Sequence, residues 1–368
     1  MLAVKNLFRN KIRSLMTVLG VAVGVSLFVS LTSISNGFKS QLQDIVRGYS
    51  IDMVATSKGA ATPFGSRISS SEYDVLLKTE GIRSVSSVIM GPTRSNLNPY
   101  FLLIGISTFE SFASKLGIVE GRVFRPGKKE ALLGEAVAKR AGLRVNDQIA
   151  LAEGEVFTIT GIYMSGGKTF DGGAIVDLQD ARRILKRDDS HNMAFIQVAQ
   201  GRDPREVATR IGARFPGLSV IRGGEFVGEI RLIKIIDASA LTISIISFFA
   251  CCFIVMNTLM MAVTERTKEF GILMAIGWGR LMIAKTIFFE ATLICIAGGI
   301  LGNVIGVAQL WLFDTINPEG LGWWVSFSGN IPIFFQSLGL SALLGLISSL
   351  YPALLTSKLL PAEALRYE

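Results

Sequence analysis

Histidine and cysteine are nearly absent from this chain, which has one histidine and three cysteines in 368 residues. A single histidine excludes zinc sites built from several histidines and the H-E-x-x-H motif of metalloproteases. His191, with Asp188 and Asp189 beside it, is interpreted as part of a solvated polar loop rather than a metal site. The cysteines all fall in long apolar runs, so a domain outside those runs has no disulfide framework and needs an ordinary hydrophobic core (Cys251, Cys252, Cys295).

Sequence motifs for catalysis and nucleotide binding are missing as well. There is no G-x-S-x-G motif and no glutamate pair in a context that suggests acid-base work. The nearest approach to a Walker A motif is GIYMSGGKT at residues 161–169, where Gly161 stands one residue too far from the Gly-Lys-Thr triplet. This stretch is interpreted as a flexible hairpin or a turn between lobes. The chain is therefore not predicted to be an enzyme, and no cofactor is expected in it.

Charged residues are scarce and unevenly distributed. Only 18% of the residues are charged and 50% are hydrophobic, and four runs contain no charge at all: residues 14–38, 238–264, 291–313 and 320–357. A helix of about 20 apolar residues crosses the hydrocarbon layer of a membrane. Four transmembrane helices are predicted, within residues 1–38 and at residues 238–264, 283–313 and 331–357. The first run is longer than a signal-peptide core and is interpreted as an uncleaved anchor.

Basic residues near the ends of the predicted spans indicate the orientation. If the spans alternate, ten cations near the span ends fall on one side (Lys5, Arg9, Lys11, Arg13, Arg266, Lys268, Arg280, Lys285, Lys358, Arg366), whereas the loop at residues 314–330 carries only Asp314 and Glu319. The cation-rich side is predicted to be the cytoplasm, with both termini there and residues 39–237 outside. The net charge of +8 is explained by these flanks and a mildly basic outer domain, so nucleic acid is not an expected partner.

The segment at residues 39–237 alternates strand-like and helix-like patterns. βαβ-like pieces at its two ends predict outer lobes at about residues 39–100 and 170–237, and an inserted strand-rich lobe is predicted at about residues 101–169. Within the insert, a helix at residues 135–141 is predicted to end at Gly142. The predicted fold class is a polytopic α-helical membrane protein with a large α+β extracytoplasmic domain between transmembrane helices 1 and 2.

A short charged segment, TERTKEFGILMAIGWGR at residues 264–280, separates the second and third spans. Two pairs of opposite charge lie three residues apart, Glu265 with Lys268 and Arg266 with Glu269. An apolar stripe with helical spacing follows them (Phe270, Leu273, Met274, Gly277). The residues alone leave two readings open: a solvated helix tip with an interfacial apolar face, or a helix that docks on a partner.

The order of these motifs resembles one family. NLFRNKIRSLMTVLGVAVGV at the first span, EGRVF and ALLGEAVAKRAGLRVNDQIAL in the outer domain, TERTKEFGILMAIG between spans, and the tail LPAEALRYE together are similar to a MacB/FtsX-type ABC transporter permease, the type VII architecture. The resemblance covers essentially the whole chain. SISNGF after the first span is more like the lipoprotein-releasing LolC/LolE branch. Some members carry their own ATPase domain, and this sequence has no Walker A motif.

The resemblance implies that residues 265–282 form a coupling helix that contacts a separate ABC ATPase dimer, which holds ATP and magnesium. The implied coupling residues are four charged residues of the helix, one glycine that allows close approach, and two residues at the bend into the third span (Glu265, Arg266, Lys268, Glu269, Gly271, Gly277, Arg280). Further implied partners are a second permease chain, as a homodimer or a related heterodimer, and a periplasmic adaptor with an outer-membrane duct or a lipoprotein. The implied location is the bacterial inner membrane.

Small and polar residues inside the spans are interpreted as structural. Small-xxx-small steps predict close helix packing in the first and third spans, with a dimer contact as the alternative for the first (Gly20, Gly24, Gly298, Gly302, Gly306). Glu290 is interpreted as structural, through snorkelling or a pair with Lys285. Asn257 and Gln309 are expected to form interhelical hydrogen bonds. Trp323 and Trp324 are expected in an interfacial aromatic belt.

Three functions remain compatible with the sequence. The first is a transporter subunit that converts the closure of an ATPase dimer into movement of the outer domain, for export or extraction of a lipoprotein, lipid, peptide or drug. The second is an FtsX-like mechanotransmitter that regulates a periplasmic cell-wall hydrolase. The third is a membrane-anchored receptor without an ATPase. Because both lobes of the outer domain are predicted, whereas hydrolase regulators usually have a smaller domain, transport is preferred.

Overall fold

The computed structural model describes residues 11–49, 51–107, 116–152, 154–164, 171–187, 189–316 and 331–357. Four predicted features lie outside these residues: the first two basic residues, the glycine-rich turn at residues 165–170, the Trp323–Trp324 pair and the C-terminal tail. The chain divides into two compact units. The membrane unit comprises Met1–Ser33, Asp237–Leu312 and Phe327–Glu368, and the α/β unit comprises Ile34–Ile236 and Phe313–Ser326.

The described residues form ten α-helices and twelve strands. The helices are α1 Lys11–Gly48, α2 Ser70–Leu77, α3 Glu135–Ala141, α4 Leu178–Ile184, α5 Pro204–Arg214, α6 Gly223–Glu229, α7 Arg231–Glu265, α8 Thr267–Ala275, α9 Arg280–Ile316 and α10 Ile331–Ser357. The strands are β1 Met53–Ser57, β2 Ile68–Ser69, β3 Ile82–Thr93, β4 Phe101–Ile106, β5 Gly117–Gly121, β6 Glu130–Gly134, β7 Gln148–Leu151, β8 Glu155–Met164, β9 Gly173–Asp177, β10 Ser190–His191, β11 Met193–Val198 and β12 Leu218–Arg222.

Helices α1, α7, α9 and α10 are long and apolar enough to cross a membrane, and the α/β unit is inserted between the first two of them. The predicted fold class is thereby confirmed. Helices α1 and α7 run beyond the uncharged stretches into the inserted segment, since α1 continues to Gly48 and α7 begins at Arg231. Both extensions belong to the α/β unit, where apolar side chains of the same segments find a protein core to pack against.

Helix α1 packs between α7 and α9 through glycines. A Cβ atom at Gly24 would lie 2.5 Å from the Cys251 sulfur of α7. On the other side, a Cβ at Gly302 would lie 2.7 Å from Val25 of α1, and Gly298 and Gly306 make similar approaches. The predicted small-xxx-small steps therefore bring helices of the same chain together. Gly20 likewise faces α7, where a Cβ atom would lie 3.4 Å from Ile254.

Polar side chains also link these helices. Thr17 donates a hydrogen bond to Thr258 at 3.0 Å, and Ser30 donates to Gln309 at 3.0 Å. The buried amide of Asn303 donates to Ser337 of α10 at 2.7 Å. The interhelical bond expected of Gln309 is confirmed, whereas Asn257 is exposed and forms no side-chain hydrogen bond with the described residues.

The α/β unit contains one ten-stranded sheet with the order β12-β1-β11-β3-β4-β9-β6-β8-β5, in which β7 also pairs with β8. Strands β1 and β3 both pair antiparallel with β11, and α2 lies in the connection between them. Strands β11 and β12 both pair antiparallel with β1, and α5 connects them. Two interlocked split βαβ units result, which are the βαβ-like pieces predicted at the two ends of the domain.

Both faces of the central strands are covered. All six residues of β4 and all five of β9 are buried, which explains why these strands are apolar without alternation. Side chains alternate between two core clusters, so that Leu102 and Ile104 join one cluster and Leu103 the other. The first cluster also contains Val46 from the end of α1 and Ile233 from the start of α7. The two helices that continue into spans are thus fixed in the core of the α/β unit.

Helix boundaries in this unit follow local signals. Helix α3 occupies the predicted residues and ends at Gly142, whose φ of 68° is in the left-handed region that favours glycine. Helix α5 begins after Asp203, whose carboxylate accepts a hydrogen bond from the Arg205 amide at 2.9 Å. Ser69 and Glu72 form a reciprocal capping box at the start of α2.

The predicted lobe boundary near residue 170 does not separate two sheets. Strand β9, which was placed in the second outer lobe, lies between β4 and β6 of the predicted insert. Its pairing with β4 is parallel, with Ile104 opposite Ile175. A boundary drawn from composition fails here because strand pairing joins segments that are far apart in the sequence.

His191 does not lie in a solvated loop, and that prediction is wrong. The side chain is 3% exposed in strand β10 and stacks on the Tyr73 ring with a centroid distance of 4.5 Å. Its Nε2 atom accepts a hydrogen bond from Arg182 at 2.9 Å, and Nδ1 contacts the Ser87 hydroxyl. Burial, and then the Arg182 charge, lowers the pKa of His191 to about 4.

Glycine substitutions should distinguish the packed from the open face of the bundle. Gly302→Ala places a methyl group 2.7 Å from the Ala22 carbonyl oxygen and should destabilise the chain by about 1–3 kcal/mol. Gly339→Ala is the matched control, because nothing lies within 4 Å of its Cβ, and helix propensity should stabilise it by about 0.5–1 kcal/mol. Melting temperatures of the detergent-purified chain test this, and equal shifts would contradict the packing.

Acid should destabilise the α/β unit through His191. The pKa is about 4 in the folded state against 6.5 when unfolded, so the unfolded chain takes up the proton first as pH falls. Protonation of His191 does not affect the free energy of unfolding above pH 6.5, and it lowers this free energy by about 2 kcal/mol at pH 5. The fall in melting temperature between pH 7 and pH 5 should be smaller in His191→Gln, and an equal fall in both proteins would disprove the assignment.

Candidate functional site

The candidate site is the corner between α7, α8 and α9, which we call the α8 corner (residues 263–290). Helix α7 ends at Glu265 because Arg266 leaves the helical conformation, with φ −111° and ψ 14°. The Arg266 amide donates to the Val263 carbonyl at 3.1 Å, and Arg266 then caps α8 at its N-terminus. The charged segment predicted at residues 265–282 therefore contains a separate nine-residue helix after a sharp turn.

A glycine turn ends α8 and begins α9. The Gly277 amide donates to the Met274 carbonyl at 3.1 Å and the Trp278 amide to the Leu273 carbonyl at 3.0 Å, which is the pattern of a Schellman motif. Gly277 has a φ of 103°, which a residue with a Cβ atom rarely adopts. Gly277 therefore has the backbone role at the bend that the sequence suggested, and Arg280 is the first residue of α9.

Glu265 is bound to the first span. Arg13 of α1 donates to both of its carboxylate oxygens, at 2.9 and 2.5 Å, in a bidentate ion pair. The side chains of Arg13 and Glu265 are 24% and 38% exposed. Glu265 thus has a partner outside the segment, on a helix 252 residues away in the sequence, in addition to any interaction with Lys268.

Arg266 is buried, which corrects its assignment to a docking surface. It is 6% exposed, and its Nη1 atom donates to both carboxylate oxygens of Glu290 at 3.4 and 3.3 Å. Glu290 on α9 is itself 9% exposed, and its ion-pair partner among the described residues is Arg266 rather than Lys285, which is exposed. A charge this far from water needs an opposite charge, so the pair joins α8 to α9.

The apolar stripe of α8 is covered by the same chain. Phe270 is buried in a cluster with Ile283 and Ile287 of α9 and Ala353 of α10, and Leu273 and Met274 pack against it. Gly271 lies on this buried face as well, so it does not form part of the exposed surface that the family resemblance implied. The stripe rests on the bundle, and what remains for a partner is the opposite side of the helix.

The exposed side of α8 carries two charges and two large apolar residues. Lys268 and Glu269 are exposed, and Ile272 and Ile276 are 46% and 73% exposed. Sequence reasoning missed both isoleucines, although their spacing of four residues from Lys268 and from each other would have found them. Exposed isoleucines next to charges suit protein docking rather than catalysis. Among the described residues, no group of acids, cysteines and histidine could hold a metal ion.

Comparisons with known proteins concern both units. A family model described as "MacB-like periplasmic core domain" matches residues 14–214, more than half of the chain, and one described as "FtsX-like permease C-terminal" matches residues 241–361. The macrolide export ATP-binding/permease protein MacB of Rhodopirellula baltica is 24% identical, with 100% of this chain and 62% of that protein covered.

Two further relatives differ in name. The lipoprotein-releasing system transmembrane protein LolC of Haemophilus influenzae is 29% identical over 66% of this chain and 65% of its own length. An uncharacterized ABC transporter permease of Methanocaldococcus jannaschii is 23% identical over 100% of this chain and 97% of its own length. The match spans less than two thirds of the length of the MacB protein of Rhodopirellula baltica and of the LolC protein of Haemophilus influenzae.

Replacing one partner of the Arg266–Glu290 pair should destabilise the chain more than replacing both partners. Glu290→Met leaves a buried cation without its counter-charge and should cost about 3–5 kcal/mol, whereas Arg266→Met with Glu290→Met should cost much less. Lys285→Met is the matched control and should have no effect. A double-mutant cycle on melting temperature measures the coupling, and additive effects of the two single substitutions would show that the pair does not exist.

Proposed function

Because this chain belongs to the MacB/FtsX family of ABC transporter permeases, we propose that α8 is the coupling helix through which a partner ATPase moves the α/β unit. The observation that carries the proposal is the division of α8 into two faces. One face is fixed to the bundle, and the other exposes Lys268, Glu269, Ile272 and Ile276. ATP-driven movement of a protein bound to the exposed face would displace α8 together with the helices that hold it.

The ion pairs of the α8 corner support this transmission. Consecutive residues at the α7–α8 turn bind different helices, Glu265 to Arg13 of α1 and Arg266 to Glu290 of α9. The apolar cluster beneath Phe270 adds α10. A force on α8 is therefore passed to every long helix of the bundle, because rotation of α8 alone would separate a buried arginine from its carboxylate.

Helices α1 and α7 provide the path from the bundle to the α/β unit. Both are continuous across the division of the chain, and each contributes an apolar side chain to the core of the α/β unit, Val46 and Ile233 respectively. A continuous helix transmits displacement along its axis without a hinge. Shifting the populations of two conformations from 1:99 to 99:1 requires about 5.5 kcal/mol of difference in binding free energy.

The partners and location follow from the same proposal. We place α8 and both termini in the cytoplasm of a bacterial inner membrane and the α/β unit outside, since the basic residues flanking the spans favour this orientation. The ATPase belongs to a separate chain and acts as a dimer on two permease chains. The substrate is a lipoprotein, lipid, peptide or drug taken from the membrane or the periplasm, with or without an adaptor and an outer-membrane duct. The names of the relatives include both macrolide export and lipoprotein release.

Surface substitutions on α8 should uncouple the ATPase without unfolding the permease. Lys268→Glu and Ile276→Ser change exposed side chains, and Ile276 is 73% exposed. Each should lower permease-stimulated ATP hydrolysis by about tenfold, which corresponds to about 1.4 kcal/mol of lost docking free energy. The measurement uses the ATPase that co-purifies with the tagged chain, and the melting temperature should stay constant.

The matched control is Arg202→Glu, which reverses an exposed charge of the α/β unit and should leave hydrolysis unchanged. Loss of stimulation in Lys268→Glu and Ile276→Ser but not in the control would support the coupling assignment. Co-purification and full stimulation with both α8 substitutions would exclude α8 as the docking element. Failure of any ATPase to co-purify with the unaltered chain would favour the receptor alternative.

A further inference from the structure

A polar pocket of about 260 Å³ lies within the α/β unit, next to the first turn of α7. We call it the Arg231 pocket. The end of β1, the loop after it and strand β12 form one side, with Thr56 and Ser219 among the lining residues. Arg231 and Lys234 of α7 and Glu229 of α6 supply the charges, and apolar side chains such as Phe226 complete the wall. None of these groups takes part in the proposed coupling.

The charges of the pocket are predominantly positive. Arg231 and Lys234 are three residues apart and share one face of α7. The first turn of this 35-residue helix contains no acidic residue, so both cations stand where the helix dipole already favours an anion. Glu229 balances one of them, since Lys234 donates to its carboxylate at 2.6 Å. The exposed guanidinium of Arg231 forms no hydrogen bond or ion pair with the described part of the chain.

Two hydroxyl groups of the pocket also lack partners among the described residues. Thr56 and Ser219 are directly opposite each other on β1 and β12, and both line the pocket. Thr56 is only 9% exposed, yet its hydroxyl makes no hydrogen bond with the residues that the structure describes. The Thr56 hydroxyl therefore has a donor that an acceptor oxygen in the pocket can use.

We propose that the Arg231 pocket binds a phosphate group, carried by a lipid headgroup or present as the free ion. A phosphate offers several acceptor oxygens, which match the guanidinium of Arg231 and the two hydroxyls. The sequence favours the lipid as its source. Lys234 precedes the uncharged run of the second span by four residues, so it lies within about one helical turn of the predicted membrane segment, where lipid headgroups are found. The inference stands independently of the coupling role of α8.

Calorimetric titration of the detergent-purified full chain tests the proposal with three probes. These are dihexanoyl phosphatidylglycerol, dihexanoylglycerol, which lacks the phosphate, and inorganic phosphate. Saturable binding is expected for the first and not for the second. If inorganic phosphate in large excess displaces the lipid, the pocket takes phosphate from either source. If it does not, the pocket requires the lipid. Equal binding of the phospholipid and dihexanoylglycerol, or binding of none of the three probes, would overturn the proposal.

Four variants place the binding in this pocket. Arg231→Gln should weaken lipid binding by about fivefold or more, and Thr56→Val, which keeps the side-chain shape, by about threefold. Glu229→Gln should strengthen binding by about twofold, because it removes a negative charge and releases Lys234. Arg202→Gln removes a cation elsewhere on the α/β unit and should have no effect. Unchanged affinity in Arg231→Gln and Thr56→Val, or equal losses in Arg231→Gln and Arg202→Gln, would reduce the binding to non-specific attraction and refute the site.

Discussion

The buried ion pair between Arg266 and Glu290, at 3.3 Å, is the constraint on which the rest of the membrane unit depends. Neither charge can stay in an apolar environment without the other, so the pair determines the position of the α7–α8 turn on α9. The position of the α7–α8 turn then determines which side of α8 faces the bundle and which side is exposed. The bidentate pair of Glu265 with Arg13 extends the same control to α1. Two adjacent residues with opposite charges thereby bind two different helices.

Close packing gives this arrangement its stiffness. Helix α1 lies between α7 and α9, and glycines of α1 and α9 let the backbones approach to distances at which a Cβ would collide. In a membrane the hydrophobic effect does not drive helices together, so such contacts and a few interhelical hydrogen bonds hold the bundle. The helices are therefore packed as a group, which is the property that the coupling role proposed for α8 requires.

In the proposed mechanism, the α/β unit would receive that displacement through the helices that enter its core. Val46 and Ile233 belong to the same apolar cluster as the central strands β4 and β9. The sheet extends without a break through both predicted lobes, so a push on this cluster acts on ten strands. The Arg231 pocket adjoins the first turn of α7, and its occupancy would accordingly be sensitive to movement of that helix.

The sequence by itself determined the four spans, the charged corner, the split βαβ units and the end of α3. Each of these depends on composition along one segment or on a cap such as Gly142, where the physical cause lies within a few residues. Only the tertiary structure decided the partners of Glu265, Arg266 and Glu290, the neighbours of β9 and the burial of His191. These features depend on which segments meet in space. A local pattern shows that a buried charge or an apolar strand needs a partner, but it does not show which distant residue the fold will bring to it.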